Sequence, residues 1–279
     1  MKAYVLGLYE KAMPAELSWK EKLTAAGEAG FDFVEISIDE TDEKLRRLDM
    51  SREERMELVN LMEETGVPIR SMCLSGHRKY PFGSEDPKTC RRSIEIMEKA
   101  IQLADDLGIR IIQLAGYDVY YEESTDDTRR RFEKNLRHAV EMAACRGILM
   151  GFETMENAFM DTVEKSMKYV NQMESPYLQV YPDCGNLTNA AVLYGTDVLR
   201  DLETGRGHLA AMHLKETVPG KYREIPFGTG HVNFEAVIGK AWELGVRRLV
   251  TEFWYKGSAA WKEDLKDAES RMQKILDTM

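Results

Sequence analysis

The sequence predicts a single (β/α)8 TIM barrel spanning residues 1–279, and three observations predict it. Short β-branched apolar runs recur along the whole chain, each followed by a charged amphipathic stretch of helical period. Eight such pairs can be counted, enough to close a parallel sheet on itself. The first run leads into Tyr9-Glu10-Lys11-Ala12-Met13-Pro14, with none of the glycine-rich phosphate turn that opens a doubly wound sheet. A length of 279 residues suits one barrel domain, since such barrels typically run to about 250 residues.

The elements follow in order. Run 3–9 (AYVLGLY) precedes a helix predicted over 18–29, which Gly30 closes. Run 33–38 (FVEISI) precedes helix 51–65, with Ser51 and Glu54 in capping-box spacing and Gly66 just past the end. Run 68–74 (PIRSMCL) is followed by helix 86–107 and Gly108, and run 109–115 (IRIIQLA) by helix 125–146 and Gly147. Run 148–153 (ILMGFE) leads to helix 160–174, run 177–183 (YLQVYPD) to helix 192–204, and run 208–214 (HLAAMHL) to helix 233–244 and Gly245. Run 247–253 (RRLVTEF) and helix 259–278 complete the series, which no low-complexity tract, tandem repeat or linker interrupts.

Hydrophobic residues make up 43% of the chain and charged ones 31%, the balance of a soluble globular enzyme. The net charge of -10 argues against nucleic-acid or anionic-membrane partners, which attract an excess of Lys and Arg. No segment has the length of a membrane span, and Met1 to Glu10 has no signal-peptide pattern. Cys73, Cys90, Cys145 and Cys184 lie far apart without a C-x-x-C pair, which reads as four buried thiols in a reducing cytoplasm.

Barrel chemistry sits at the carboxyl ends of the strands. There the fifth run ends in Glu153, the sixth in Asp183, the seventh in His213 with Lys215 beyond it, and the eighth carries Glu252. Period-two alternation puts Glu153 on the side of Gly151 and Glu252 on the side of Val250, compatible with both pointing inward. Three carboxylates and one imidazole make an O3N set suited to Mn²⁺, Mg²⁺, Co²⁺ or Zn²⁺; without cysteine ligands it does not suit a closed structural zinc site. Carboxylates gathered so closely need a cation or a proton between them.

Six segments carry a resemblance over nearly the whole chain: Gly7 to Ala12, Phe31 to Ser37, Ser71 to Arg78, Ile112 to Tyr121, Tyr181 to Leu187 and Pro226 to Gly230. In them the sequence resembles the xylose-isomerase-like TIM barrels, and most closely the L-ribulose-5-phosphate 3-epimerase (L-xylulose-5-phosphate 3-epimerase) family of ascorbate and pentose catabolism. The resemblance implies an isomerase that inverts carbon 3 of a ketopentose 5-phosphate, with one divalent metal ion on Glu153, Asp183, His213 and Glu252. It also implies a homodimer.

On this reading Glu153 and Glu252 serve twice, as metal ligands and as the catalytic acid and base on opposite faces of a planar enediolate. Substrate-binding candidates are His77 in the turn after the third run, Lys215, Glu35, Gln113 and Asn186. For the phosphate the candidates are Arg78, Lys221, Arg223 and the amides around Gly228 and Gly230. Tyr117, Tyr120 and Tyr121 form a pocket wall or an interface, His231 is ambiguous, and His138 and His208 read as structural or solvent-facing. The alternatives are a related hexulose-6-phosphate or aldose-ketose isomerase, an endonuclease IV-like metal phosphodiesterase, and a catalytically dead sugar-binding barrel. A total of only five histidines and the acidic net charge weigh against the phosphodiesterase, and the intact ligand set weighs against the dead barrel.

Overall fold

The computed structural model describes residues 2–279. Its eight parallel strands are β1 (Val5–Tyr9), β2 (Phe33–Ile38), β3 (Ile69–Leu74), β4 (Ile111–Ala115), β5 (Leu149–Glu153), β6 (Leu178–Tyr181), β7 (Met212–Leu214) and β8 (Arg248–Thr251). They hydrogen-bond in the order β6-β5-β4-β3-β2-β1-β8-β7. The remaining seam is closed by two isolated bridges, Val180 with Leu209 and Asp183 with His213. The peptide N–H of His213 donates to Pro182 O at 2.9 Å there, so the joint that closes the barrel also carries two of the expected metal ligands.

The helices are α1 (Trp19–Ala29), α2 (Asp42–Arg46), α3 (Arg52–Thr65), α4 (Pro87–Asp106), α5 (Asp126–Cys145), α6 (Val163–Met173), α7 (Cys184–Tyr194), α8 (Val198–Thr204), α9 (Phe234–Glu243) and α10 (Trp261–Leu276). Both halves of the Ser51/Glu54 capping box form, at 2.6 and 3.2 Å. Gly30, Gly66, Gly108, Gly147 and Gly245 all take the positive φ expected past a helix end.

Two elements differ from the sequence expectation. The helix predicted over 192–204 is two helices, because α7 starts directly after Asp183 and Gly195 turns the chain at φ 64° before α8 begins. The run Cys184–Tyr194 has no charged residue, so the amphipathic period that marks the other helices is missing from it. The short helix α2 falls in a stretch expected to be loop; Thr41 caps it by accepting from Lys44 N at 3.3 Å. The cysteines differ as well. Cys73 and Cys184 are buried, Cys90 is half-buried and Cys145 is exposed, all as free thiols, because α5 turns Cys145 outward at its last residue.

Strand alternation sorts side chains into two cores. Leu6, Leu8, Val34, Ile36, Met72, Leu74, Ile112, Met150 and Phe152 face the helices, where full burial of each large apolar side chain contributes roughly 1.5–3 kcal/mol. The opposite parity puts Tyr9, Phe33, Cys73, Ile111, Tyr181, Ala211 and Val250 inside the barrel. Phe33 fills the space beside Gly7, where any Cβ would come within 2.4 Å of its ring. Polar residues share this inward face, with Glu35, Ser71 and Gln113 at mid-strand and Glu153 and Glu252 at the carboxyl ends.

Just past β1 lies a buried ionic cluster. Glu10 is 1% exposed and accepts from Lys44 Nζ at 2.7 Å, from Arg47 and from Ser37 N at 2.8 Å, while Lys22 Nζ stands 3.5 Å away. It binds α1, α2 and β2 to the end of β1.

Candidate active site and metal centre

Each member of the O3N set is presented by a strand end. Glu153 is the last residue of β5, His213 lies within β7, and Glu252 follows β8 with its N–H donating to Leu214 O at 2.9 Å. Asp183 follows β6 and caps α7, where its Oδ1 accepts from Asn186 N at 2.7 Å. That cap uses one carboxylate oxygen and leaves Oδ2 for the barrel axis. Thr154, the residue after β5, fixes the geometry, since its Oγ1 accepts from Asp183 N at 3.0 Å and its carbonyl from Asn186 Nδ2 at 2.7 Å.

The four side chains converge, with one donor atom from each lying within 4.8 Å of all the others. His213 Nδ1 is 3.2 Å from Glu252 Oε2, 3.6 Å from Glu153 Oε1 and 3.9 Å from Asp183 Oδ2. Asp183 Oδ2, His213 Nδ1 and Glu252 Oε2 are buried without an aligned hydrogen-bond partner, although Lys215 Nζ approaches Asp183 Oδ2 to 3.0 Å. Buried donor atoms of this kind, aimed at one another, fit a divalent ion of the oxygen- and imidazole-preferring class.

The electrostatics agree with that fit. Burial pushes Asp183 well above the usual carboxylate range; Lys215 opposes the shift, and Glu252 and Glu153 add to it. Burial also works against the charged form of Glu252, but Lys215 and His213 outweigh it and hold that carboxyl below its usual range. For His213 burial disfavours the proton, yet the charges of Glu35 and Glu252 raise it well above the ordinary imidazole value. Lys215 is raised in the same way by Asp183 and Glu252 against its own burial. The cluster holds more negative charge than its cations cover, and it attracts protons or a metal ion to make up the difference.

Above the cluster, Tyr9, Lys11, Cys73, Ser75, Arg78, Met155, Glu156, Asn186, Lys215, Arg223 and Trp254 line a pocket with Glu153 and Glu252. A larger groove of about 280 Å³, lined by Phe227, Phe253 and Trp261, adjoins it across Trp254, but none of the four converging residues reaches that groove. Among the substrate-binding candidates, Lys215, Arg78, Arg223 and Asn186 are in the pocket lining. Arg78 lies over the Tyr120 ring at 4.9 Å, and Arg223 donates to Glu156 Oε1 at 2.9 Å, as does the Tyr120 hydroxyl at 3.1 Å.

Four candidates are placed elsewhere. His77 is not in the lining: its buried ring packs on Phe82 at 4.4 Å and its Nε2 meets the Ser93 carbonyl at 3.0 Å, so it anchors α4. Gly228 gives its N–H to Glu216 Oε2 at 3.0 Å, which leaves that amide unavailable to a phosphate. Glu35 and Gln113 lie deeper, beneath the ligands. Gln113 Nε2 donates to Glu153, while Glu35 accepts from His213 Nε2 at 2.6 Å. Of the other residues considered, Lys221 is exposed in a turn with Val218, and Gly230 packs against Thr217 and Glu216. His231 Nε2 meets Thr217 Oγ1 at 3.0 Å, while His138 is exposed and His208 pairs with Gln179 at 3.1 Å.

Sequence reasoning missed Lys11, Glu156 and Trp254. Lys11 follows β1 and Glu156 lies three residues past Glu153, both at carboxyl ends of strands; that position was the available signal. Among the described residues, no helix is long and apolar enough to cross a membrane.

Comparison with known proteins agrees with this architecture. A family model described as xylose isomerase-like TIM barrel matches residues 23–274. The L-ribulose-5-phosphate 3-epimerases UlaE of Escherichia coli O157:H7 and of Shigella sonnei are each 50% identical to the chain over 230 residues, covering 82% of it and 80% of the relative. Solved structures share the fold. A D-tagatose 3-epimerase-like protein superposes with a TM-score of 0.80 at 18% identity, covering 98% of this chain and 97% of that one. An L-ribulose 3-epimerase superposes with a TM-score of 0.77 at 18% identity, covering 99% and 95%. The chain therefore belongs to the xylose isomerase-like TIM barrel family, within it to the L-ribulose-5-phosphate 3-epimerases, and is an enzyme of the isomerase class.

Proposed function

We propose that the protein inverts carbon 3 of a ketopentose 5-phosphate, interconverting L-ribulose 5-phosphate and L-xylulose 5-phosphate through an enediolate. The observation that carries this reading is the convergence of Glu153, Asp183, His213 and Glu252 at the barrel mouth, in a chain 50% identical over 230 residues to epimerases named for that substrate. A divalent ion held by these four would supply Lewis-acid stabilisation of the negative charge that develops when the proton beside the ketone is removed. Mn²⁺, Zn²⁺, Co²⁺ and Mg²⁺ all suit a donor set of three carboxylates and one imidazole.

The chain's own groups do the rest. Glu153 and Glu252 come from β5 and from the end of β8, well separated around the barrel, so one takes the proton from one face of the flat intermediate and the other returns a proton to the opposite face. Their roles exchange with the direction of reaction. Lys215, 4% exposed, sits beside both Asp183 and Glu252, where its ammonium steadies a substrate oxygen as charge builds on it. Arg78, Arg223 and Lys11 supply positive charge higher in the lining and take the phosphate. The acidic net charge makes that local cation group the route by which an anionic substrate is recognised.

On the same reading residues 1–279 form one catalytic domain, working as a cytoplasmic homodimer in ascorbate catabolism. The test is to add metal-loaded protein to L-ribulose 5-phosphate in D₂O and follow the reaction by NMR. Deuterium entering at carbon 3 together with L-xylulose 5-phosphate supports the assignment. Exchange at carbon 1 replaces it with the second reading, an aldose-ketose isomerase.

A further inference from the structure

Building on the reading of the four-residue cluster as a metal centre, we infer that Glu35 is a positioning residue: it decides which nitrogen of His213 faces the ion and how tightly the ion is held. The two residues are 178 positions apart in sequence, and both are fully buried. His213 Nε2 stands 2.6 Å from Glu35 Oε1. A carboxylate offers lone pairs and no proton, so Nε2 carries the hydrogen. In the neutral imidazole that ligation requires, the lone pair then lies on Nδ1, the nitrogen that faces Glu153, Asp183 and Glu252.

Glu35 is itself held from two more strands. Its Oε2 accepts from Ser71 Oγ of β3 at 2.7 Å and from Tyr181 Oη of β6 at 3.0 Å. The Tyr181 ring meets His213 edge-on, with centroids 4.9 Å apart. A carboxylate placed here does not line the pocket, and its partners use both of its oxygens. Filling the barrel interior would be achieved at lower desolvation cost by an apolar side chain of similar volume. What remains for the charge is its effect on His213: it fixes the tautomer and the ring angle and makes the free nitrogen more basic.

Replacing Glu35 by Gln keeps the shape and removes that constraint. The amide oxygen can still accept from His213 Nε2 while the N–H₂ turns to the Ser71 and Tyr181 hydroxyl oxygens, but no charge then holds the proton on Nε2. With the amide turned over, the N–H₂ faces Nε2 and the histidine proton shifts to Nδ1, the ligand atom. The experiment is calorimetric titration of Mn²⁺ and of Zn²⁺ into metal-free wild type, Glu35→Gln, Glu35→Asp and Phe33→Leu at neutral pH, with thermal melts confirming the fold. Phe33→Leu loosens the same barrel interior without touching the carboxylate.

Glu35→Gln is expected to bind metal about 10–100-fold more weakly, with Phe33→Leu close to wild type however much it lowers the melting temperature. Glu35→Asp keeps the charge but draws it back by one methylene, and falls between the two. If Glu35→Gln does not fold, Glu35→Asp carries the test alone. Unchanged affinity in the Glu35 variants, or an equal loss in Phe33→Leu, overturns the inference. Wild type that binds neither ion is a distinguishable result, which removes the metal reading itself and this inference with it.

Discussion

Two buried charged clusters lie at the carboxyl ends of the strands, and they are built in opposite ways. Past β1, one carboxylate, Glu10, is surrounded by Lys22, Lys44 and Arg47. Burial alone would raise its pKa, but Arg47, Lys44 and Lys22 bring it down to about 2. At the ends of β5 to β8, three carboxylates and a histidine share a single lysine, and burial drives Asp183 the other way, well above the usual range. The first cluster is satisfied by its own chain and opens onto nothing. The second leaves donor atoms without aligned partners directly beneath a pocket. The contrast teaches that burial of charge does not by itself mark a functional site; an uncompensated sign facing a cavity does.

The contrast can be broken by exchanging carboxylates for amides in each cluster. The largest effect is expected at the pocket, where Glu153→Gln and Glu252→Gln should each lower kcat by about 10²–10⁴-fold in the deuterium-exchange assay. The melting temperature of Glu153→Gln should hold or rise, because its charge crowds Asp183, whereas that of Glu252→Gln should fall, because Lys215 and His213 lose the carboxylate they hold. Full turnover in the doubly substituted protein would end the two-acid mechanism.

Glu10→Gln should behave in the reverse sense. Metal affinity should survive, while stability in urea falls by about 3–5 kcal/mol, since the buried Lys22 and Lys44 and the half-buried Arg47 lose their carboxylate. A pH titration sharpens this. A carboxyl lowered from 4.5 to about 2 stabilises the fold fully above pH 4.5 and loses that contribution as pH falls toward 2, an acid-sensitive component of about 3 kcal/mol. That component should be absent from Glu10→Gln, and identical acid profiles for the two proteins would assign the acid sensitivity to other groups.

The smallest effect is expected at the rim of the pocket. Arg223→Met should raise KM for the phosphorylated ketose about tenfold, or roughly 1.4 kcal/mol, with little change in kcat. The comparison substrate is the same sugar without phosphate, whose kinetics should not respond. An equal response to both sugars would remove Arg223 from phosphate recognition and leave it as a partner of Glu156.

The barrel and its four converging residues were legible in the sequence because both rest on local signals. Period-two runs, 3.6-residue helices, capping residues and glycines past helix ends identify strands and helices segment by segment. Parity then says that Glu153 shares a face with Gly151, and strand-end position marks the residues available for chemistry. Where the local signal was absent, as in the uncharged stretch of α7, the reading placed the helix eight residues late.

Tertiary structure alone decided the rest, because the remaining contacts join segments that closure of the barrel brings together. His77 and Arg78 are neighbours in one turn, yet one anchors α4 and the other lines the pocket. Glu156 gathers Tyr120 and Arg223 from two other loops, and Glu35 reaches His213 across the barrel interior. Sequence spacing carries no information about such pairs, since their distances are set by how eight strands stagger around a common axis. The residues able to do chemistry were fixed locally, and their partners were fixed by the closed sheet.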